Sequence, residues 1–174
     1  MVEPQPDIFD RLRRNYQAQA SRLQFLNVAI SDRGGEKTLF CILEAERSRL
    51  GLPEWSGELA SFNVEHLRRH FPFARTTGYS VRSTTFAEVA DRLPEGRVDV
   101  VVIDVEGHER TIIENIDLER HGVKFIVYEH KHLSESDCSA VESKLRRHGF
   151  ALKAFGRDTI AYRSEGPVDQ RARQ

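Results

Sequence analysis

The chain has 174 residues, two cysteines and a net charge of −1. This length suits one domain with a real core, and the balanced charge argues against nucleic acid and anionic membranes as partners. The sequence lacks an apolar run of transmembrane length and begins without a signal-peptide pattern. The two cysteines are too few for a disulfide framework or a zinc site, so we expect reduced thiols in a cytoplasmic protein.

The first half of the chain predicts short helices and strands separated by turns. Pro6 suits the first turn of a helix. Two strand patterns flank a turn at Gly34-Gly35, and we expect them to pair as a hairpin. Asn63 and Thr85 are typical helix caps. The predicted elements are a strand end at 2–4, a helix over 6–20, strands over 23–30 and 37–43, a helix over 63–71, a strand over 78–83 and a helix over 85–93.

The second half shows a clearer alternation. Residues 100–103 form a continuous β-branched run, which predicts a strand buried on both faces. Ser134 caps a later helix that Gly149 ends. A turn at Gly156 predicts a closing antiparallel hairpin. The remaining elements are a helix from 109, a strand over 123–129, a helix over 134–148, strands over 150–155 and 159–162, and a disordered tail over 164–174.

This order of elements predicts an α/β fold in a single domain over residues 1–163. Alternating strands and helices favour a mostly parallel sheet flanked by helices. The carboxyl-terminal antiparallel hairpin suits an edge of that sheet.

Polar side chains follow two of the predicted strands. Asp104 and Glu106 come directly after residues 100–103, and His130 follows the next strand. Because ligands bind beyond the carboxyl ends of strands in open α/β sheets, these side chains are candidates for chemistry. The structural alternative is that Asp104 caps the following helix while Glu106 and Glu109 complement its dipole.

Several segments together resemble the FkbM-type methyltransferases. The run Glu-Pro-Gln-Pro at 3–6, before a helix, is similar to the second-strand motif of that family. Residues 27–32, Asn-Val-Ala-Ile-Ser-Asp, are similar to the third-strand motif. Thr-Thr-Phe at 84–86 and the run 99–109 are similar to the central signature, in which His108 takes the place of the usual alanine. The resemblance covers roughly residues 2–163.

The resemblance implies a class I methyltransferase-like, Rossmann-like fold and S-adenosylmethionine as cofactor. It implies that Glu3 binds the ribose hydroxyls, that Asn27 and Ala29 lie near the adenine, and that Asp104 and Glu106 lie near the reacting methyl group. The glycine-rich loop of such folds precedes the strand that ends at Glu3. The chain begins at Met1, so we expect a fold incomplete at the amino end, weak or no binding of S-adenosylmethionine, and marginal stability or self-association.

The leading functional hypothesis is methyl transfer to a hydroxyl oxygen of a sugar or secondary metabolite. Asp104, Glu106, His108 and His130 are the candidate catalytic residues, Asp104 also faces the cofactor, and no residue is assigned to a metal. Two alternatives stay open. One is a metal-binding, hydrolase-like protein and the other is a non-catalytic remnant of a methyltransferase. The metal ligands in the first case are Asp104, Glu106, His108, Glu129, His130 and His132.

Overall fold

A computed structural model describes residues 1–163, and the predicted tail at 164–174 lies outside them. Three 3₁₀ helices join the regular elements, at Gln17–Arg22, Glu54–Gly57 and Pro94–Gly96. The helices are α1 (Pro6–Asn15), α2 (Glu44–Leu50), α3 (Val64–His70), α4 (Phe86–Ala90), α5 (Glu109–Glu114) and α6 (Glu135–Arg147). The strands are β1 (Ala29–Ile30), β2 (Gly35–Cys41), β3 (Ala60–Ser61), β4 (Thr77–Thr84), β5 (Val100–Ile103), β6 (Phe125–Glu129), β7 (Phe150–Phe155) and β8 (Asp158–Arg163).

The first sheet has the strand order β1-β4-β2-β3. β4 pairs in parallel with β1, where Ala29 faces Ser83, and antiparallel with β2. The predicted hairpin between β1 and β2 is therefore wrong, because β4 lies between them. The Ser83 hydroxyl donates to the carbonyl oxygens of Arg33 and Gly35. These hydrogen bonds hold the end of β4 against the turn between β1 and β2.

The second sheet has the order β5-β6-β8-β7. β5 and β6 are parallel, whereas β6, β8 and β7 run antiparallel, so the closing hairpin is confirmed. The α/β class is confirmed by both sheets and their helices. The prediction of one mostly parallel sheet is not confirmed, because each sheet contains one parallel and two antiparallel pairs.

Burial of the second sheet is one-sided. Ile103, Ile126 and Tyr128 pack in the main core together with α5 and α6. On the opposite face Val100 is 56% and Val102 is 72% exposed. The prediction of a strand buried on both faces is wrong, because side chains alternate along β5 and no helix within residues 1–163 covers its outer face.

Local capping predictions are confirmed at three helices. The Asn63 side chain accepts a hydrogen bond from the Glu65 amide, so α3 begins where the sequence predicts. Thr85 opens α4 with a complete capping box, and Ser134 caps α6. Each cap depends only on residues that are neighbours in sequence, so it can be predicted before the fold is known.

Lys144 joins α6 to the end of α5. Its ammonium donates to the carbonyl oxygens of Ile113, Glu114 and Ile116 at 2.7–2.8 Å. These carbonyls lie where a helix leaves its last acceptors without intrahelical partners. Lys144 therefore caps α5 from a neighbouring helix.

In the part of the chain described, no helix is both long and apolar enough to cross a membrane.

Candidate active site

The turn after β5 organises the candidate site. Glu106 and Gly107 both have positive φ, 53° and 96°, in consecutive positions. A non-glycine residue in this region is uncommon and is held there by its surroundings. The Glu106 carbonyl accepts a hydrogen bond of 3.0 Å from Ser61 at the end of β3. The first sheet therefore helps to hold a turn of the second.

Glu109 holds the same turn from the other side. It is fully buried, and its Oε1 accepts from the amides of Val105 at 3.0 Å and Gly107 at 3.3 Å. Its Oε2 has no hydrogen-bond partner within residues 1–163. The helix begins after His108 without a side-chain cap, so the alternative in which Asp104 caps α5 is wrong. Burial raises the pKa of Glu109 despite those amide contacts.

Three carboxylates meet at the carboxyl ends of β5 and β6. One oxygen each from Asp104, Glu109 and Glu129 lies within 4.8 Å of the other two. Partial burial, followed by the charges of Glu106 and Asp158, raises the pKa of Asp104. Burial and the charge of Asp104 likewise raise the pKa of Glu129. Burial and the charges of Glu106 and Asp158 thus increase the affinity of Asp104 for a proton.

Glu106 points instead towards a group of histidines. Its Oε2 lies 3.0 Å from Nε2 of His66 and 3.5 Å from Nε2 of His132. Burial raises the pKa of Glu106, but the hydrogen bond with His66 and the charges of nearby histidines outweigh burial, so the pKa lies below its ordinary value. Glu106 is therefore an ionised acceptor already engaged by imidazoles.

His108 contacts the first sheet. Its Nε2 lies 3.0 Å from the hydroxyl of Ser31, which is fully buried and donates to Asp32 at 2.8 Å. Burial, together with the nearby Lys37 ammonium, lowers the pKa of His108 to about 4, against an opposing effect of Asp32. His108 is thus a weak base placed in a structural contact.

His130 is anchored away from the three carboxylates. Its Nδ1 lies 3.0 Å from the Thr159 hydroxyl, and its amide donates to the carbonyl of Arg157 at 2.9 Å. Both partners belong to the turn and strand of the closing hairpin. His130 is not a member of the carboxylate group around Asp104.

The residues expected to hold the cofactor form a second neighbourhood. The Asn27 amide donates to the carbonyls of Glu3 at 2.8 Å and Pro4 at 3.2 Å, and Glu3 Oε1 accepts from the Gln5 amide at 2.7 Å. Burial raises the pKa of Glu3. Ala29 lies in the core of the first sheet, so its methyl group is not available to a ligand.

The structure brings some predicted residues together and leaves others apart. Glu3 meets Asn27, and Asp104 meets Glu129, but no hydrogen bond or ion pair within residues 1–163 joins these two pairs. A cleft of about 330 Å³ lies beside Glu106. Among its lining residues are His66, Glu106, Gly107, Lys131, His132 and Asp137. A larger depression of about 510 Å³ near α1 has no predicted site residue in its lining.

Sequence reasoning missed His66 and His70. They are four residues apart on α3 and therefore share one helix face. The spacing His66-Leu-Arg-Arg-His70 is a compact imidazole pair that could have been read from the sequence. Their approach to His132, across the two sheets, could not have been read there.

Comparison with known proteins gives one positive finding. The family model described as the Methyltransferase FkbM domain matches residues 1–152. No curated protein and no solved structure matches the chain. The matched residues include every predicted site residue from Glu3 to His130.

Proposed function

Since this chain belongs to the FkbM methyltransferase family, we propose that it transfers a methyl group from S-adenosylmethionine to a hydroxyl oxygen of a small molecule, a sugar or secondary metabolite. The observation that carries this proposal is the group of carboxylates Asp104, Glu109 and Glu129 at adjacent strand ends, inside the matched region. Ligands of open α/β sheets bind at this position.

The residues near Glu3 fit the ribose of the cofactor. Apart from the Gln5 amide, no group within residues 1–163 donates to the Glu3 carboxylate, so it can accept hydrogen bonds from two hydroxyls. Asn27 is a positioning residue, because its amide fixes the carbonyls of Glu3 and Pro4. When bound, S-adenosylmethionine supplies an electrophilic methyl group on a sulfonium.

Asp104 is the proposed base. Its side chain is open to an incoming acceptor, and partial burial of the carboxylate, followed by the charges of Glu106 and Asp158, raises its pKa. It takes the hydroxyl proton as the acceptor oxygen bonds to the methyl carbon, while the electrons of the breaking carbon–sulfur bond stay on sulfur. Glu106 is not the base in this scheme, since its carboxylate is engaged by His66.

His108 and His130 remain less suitable bases. Nε2 of His108 faces the Ser31 hydroxyl, and its lowered pKa weakens it as a proton acceptor. Nδ1 of His130 is engaged by Thr159, and this residue is not part of the carboxylate group around Asp104. Asp104 is therefore the predicted catalytic residue with the fewest competing contacts.

Calorimetric titration with S-adenosylmethionine tests the cofactor assignment. We expect weak but saturable binding that Glu3→Gln weakens at least about tenfold further, because hydrogen bonds to a charged acceptor contribute roughly 1.5–3 kcal/mol each. Glu54→Gln, at an exposed position, is the matched control. Transfer of labelled methyl to a panel of sugar and metabolite hydroxyls then tests the reaction. No binding by the unaltered chain would favour a non-catalytic remnant.

A further inference from the structure

Three histidines from two distant parts of the chain meet beside the cleft. His66 and His70 lie on α3, and His132 lies between β6 and α6. The ring centroid of His66 lies 4.5 Å from that of His132 and 4.7 Å from that of His70, and the centroids of His70 and His132 are 5.2 Å apart. One nitrogen from each ring lies within 4.8 Å of the other two.

The separations between these nitrogens are only moderately larger than those in an occupied zinc site. Nitrogens bound to one tetrahedral zinc at 2.0–2.1 Å are about 3.3 Å apart. The three rings therefore need to approach one another by at most about 1.5 Å. Rotation about side-chain bonds supplies movements of this size without a change in the backbone.

In two of the rings, one nitrogen is hydrogen-bonded and the other is left for a metal, as in known metal sites. Nδ1 of His70 lies 3.0 Å from the carbonyl oxygen of His66, which can only accept, so the Nε2 of a neutral His70 carries the free lone pair. Nε2 of His66 faces the Glu106 carboxylate at 3.0 Å, and its Nδ1 has no hydrogen-bond partner within residues 1–163. Metal-bound histidines characteristically donate their other ring nitrogen to a carboxylate or a carbonyl in this way.

The charge around the rings also suits a cation. Glu106 and Glu129 each place a carboxylate oxygen 3.5 Å from Nε2 of His132. Lys131 and Arg69 line the adjoining cleft but form no ion pair with either carboxylate within the residues described. Imidazole ligands favour zinc, cobalt or nickel over magnesium or calcium.

We propose that His66, His70 and His132 bind one divalent transition-metal ion of the zinc class, with Glu106 as the carboxylate behind His66. Three protein ligands leave a coordination position open, and the cleft gives access to it. The ion joins α3, next to the first sheet, to the loops after β5 and β6 of the second. The proposal does not depend on methyl transfer.

Titration of metal-free protein without a histidine tag tests the site. We expect one Zn²⁺ per chain in competition with a chromophoric chelator, and with Co²⁺ the visible absorption of a low-coordinate site. Zn²⁺ should also raise the melting temperature, because it binds the folded state. His70→Gln and His132→Gln should each weaken Zn²⁺ binding more than about tenfold.

His148→Gln is the matched control. His70 is the last residue of α3 and His148 directly follows α6, and Nδ1 of each lies 3.0 Å from the carbonyl oxygen four residues earlier. His148 is outside the histidine cluster. We expect unchanged Zn²⁺ affinity in this variant. Circular dichroism of each metal-free variant checks folding, and His70→Gln decides the matter if His132→Gln is unfolded. Zn²⁺ affinity that is equal in His70→Gln and unaltered protein, or no saturable binding at all, would overturn the proposal.

Discussion

Ser31 and His108 connect the two sheets through a single hydrogen bond of 3.0 Å. Ser31 follows β1, and His108 precedes α5 beyond the end of β5. Because the Ser31 hydroxyl donates to Asp32, it accepts from His108, whose Nε2 therefore carries the proton. The histidine that replaces the usual alanine of the family signature thus serves as a contact between the sheets.

Removing the hydroxyl should lower stability. Ser31→Ala leaves the His108 N–H without its partner at a largely buried position, and we expect a loss of about 1–2 kcal/mol in the free energy of unfolding. Urea denaturation measures this loss. Ser48→Ala, at an exposed position on α2, is the control and should change little. Equal stability of the two variants would mean that the contact is energetically neutral.

The pKa of His108 gives a pH prediction. Its folded-state pKa of about 4 lies below the ordinary value of 6.5, so the unfolded chain takes up the proton first as pH falls. This contribution to stability is complete above about pH 6.5 and is lost as pH falls towards 4. Nuclear magnetic resonance of the ring nitrogens should give a midpoint near 4, and Lys37→Met should raise it. A midpoint near 6.5 would contradict the burial of this ring.

Asp104→Asn should reduce methyl transfer with little effect on folding. A positioned general base contributes about 10²–10⁴-fold in rate, whereas exposed substitutions usually change stability by about 0.5 kcal/mol or less. Single-turnover rates and thermal melting measure the two effects. Asp99→Asn, at the opposite end of β5 and ion-paired with Lys124, is the matched control. Parallel losses of rate and stability in Asp104→Asn would favour a structural role.

Lys144 should be important for folding although it is a charged residue. Lys144→Met removes the donor from three carbonyl oxygens at the end of α5, and we expect a loss of about 1–3 kcal/mol in unfolding free energy. Lys153→Met, on an exposed part of β7, provides the comparison in the same denaturation experiment. A similar midpoint in both variants would show that water replaces the ammonium at no cost.

The outer face of β5 should promote association between copies of the chain. Val102 is 72% exposed beside Val100, and Phe125 of the neighbouring strand is 46% exposed. Val102→Lys should reduce the mean mass measured by light scattering, because a charge opposes burial of this face. Thr38→Lys adds the same charge to an exposed position of the other sheet and should leave the mass unchanged. A monomer at all concentrations of the unaltered chain would contradict self-association.

Local signals in the sequence predicted most helix starts and strand positions. The caps Asn63, Thr85 and Ser134 depend on neighbours in the chain, and all three are confirmed. The order of strands depends on distant partners instead. The pairing of Ala29 with Ser83 places β4 between β1 and β2, which were expected to form a hairpin, and no local pattern predicts this pairing.

In the candidate site, too, local features were predictable from the sequence, whereas contacts between distant residues were not. The position of Asp104 and Glu106 after a strand was readable from the apolar run before them. Sequence spacing could not show that Glu106 faces His66 while Asp104 faces Glu129, because these partners come from other elements. The hydrogen bond between His108 and Ser31 could not be predicted either, because Ser31 is distant in sequence and fully buried.

The place of β4 inside the first sheet has a consequence for synthesis on the ribosome. β4 is the partner of both β1 and β2, so β1 has no sheet partner and β2 pairs only with the two residues of β3 until Thr77–Thr84 emerges. At about 5–20 residues per second, the interval between Cys41 and Thr77 lasts roughly 2–7 s. During that time the nascent chain presents an open strand edge to chaperones and to other nascent chains.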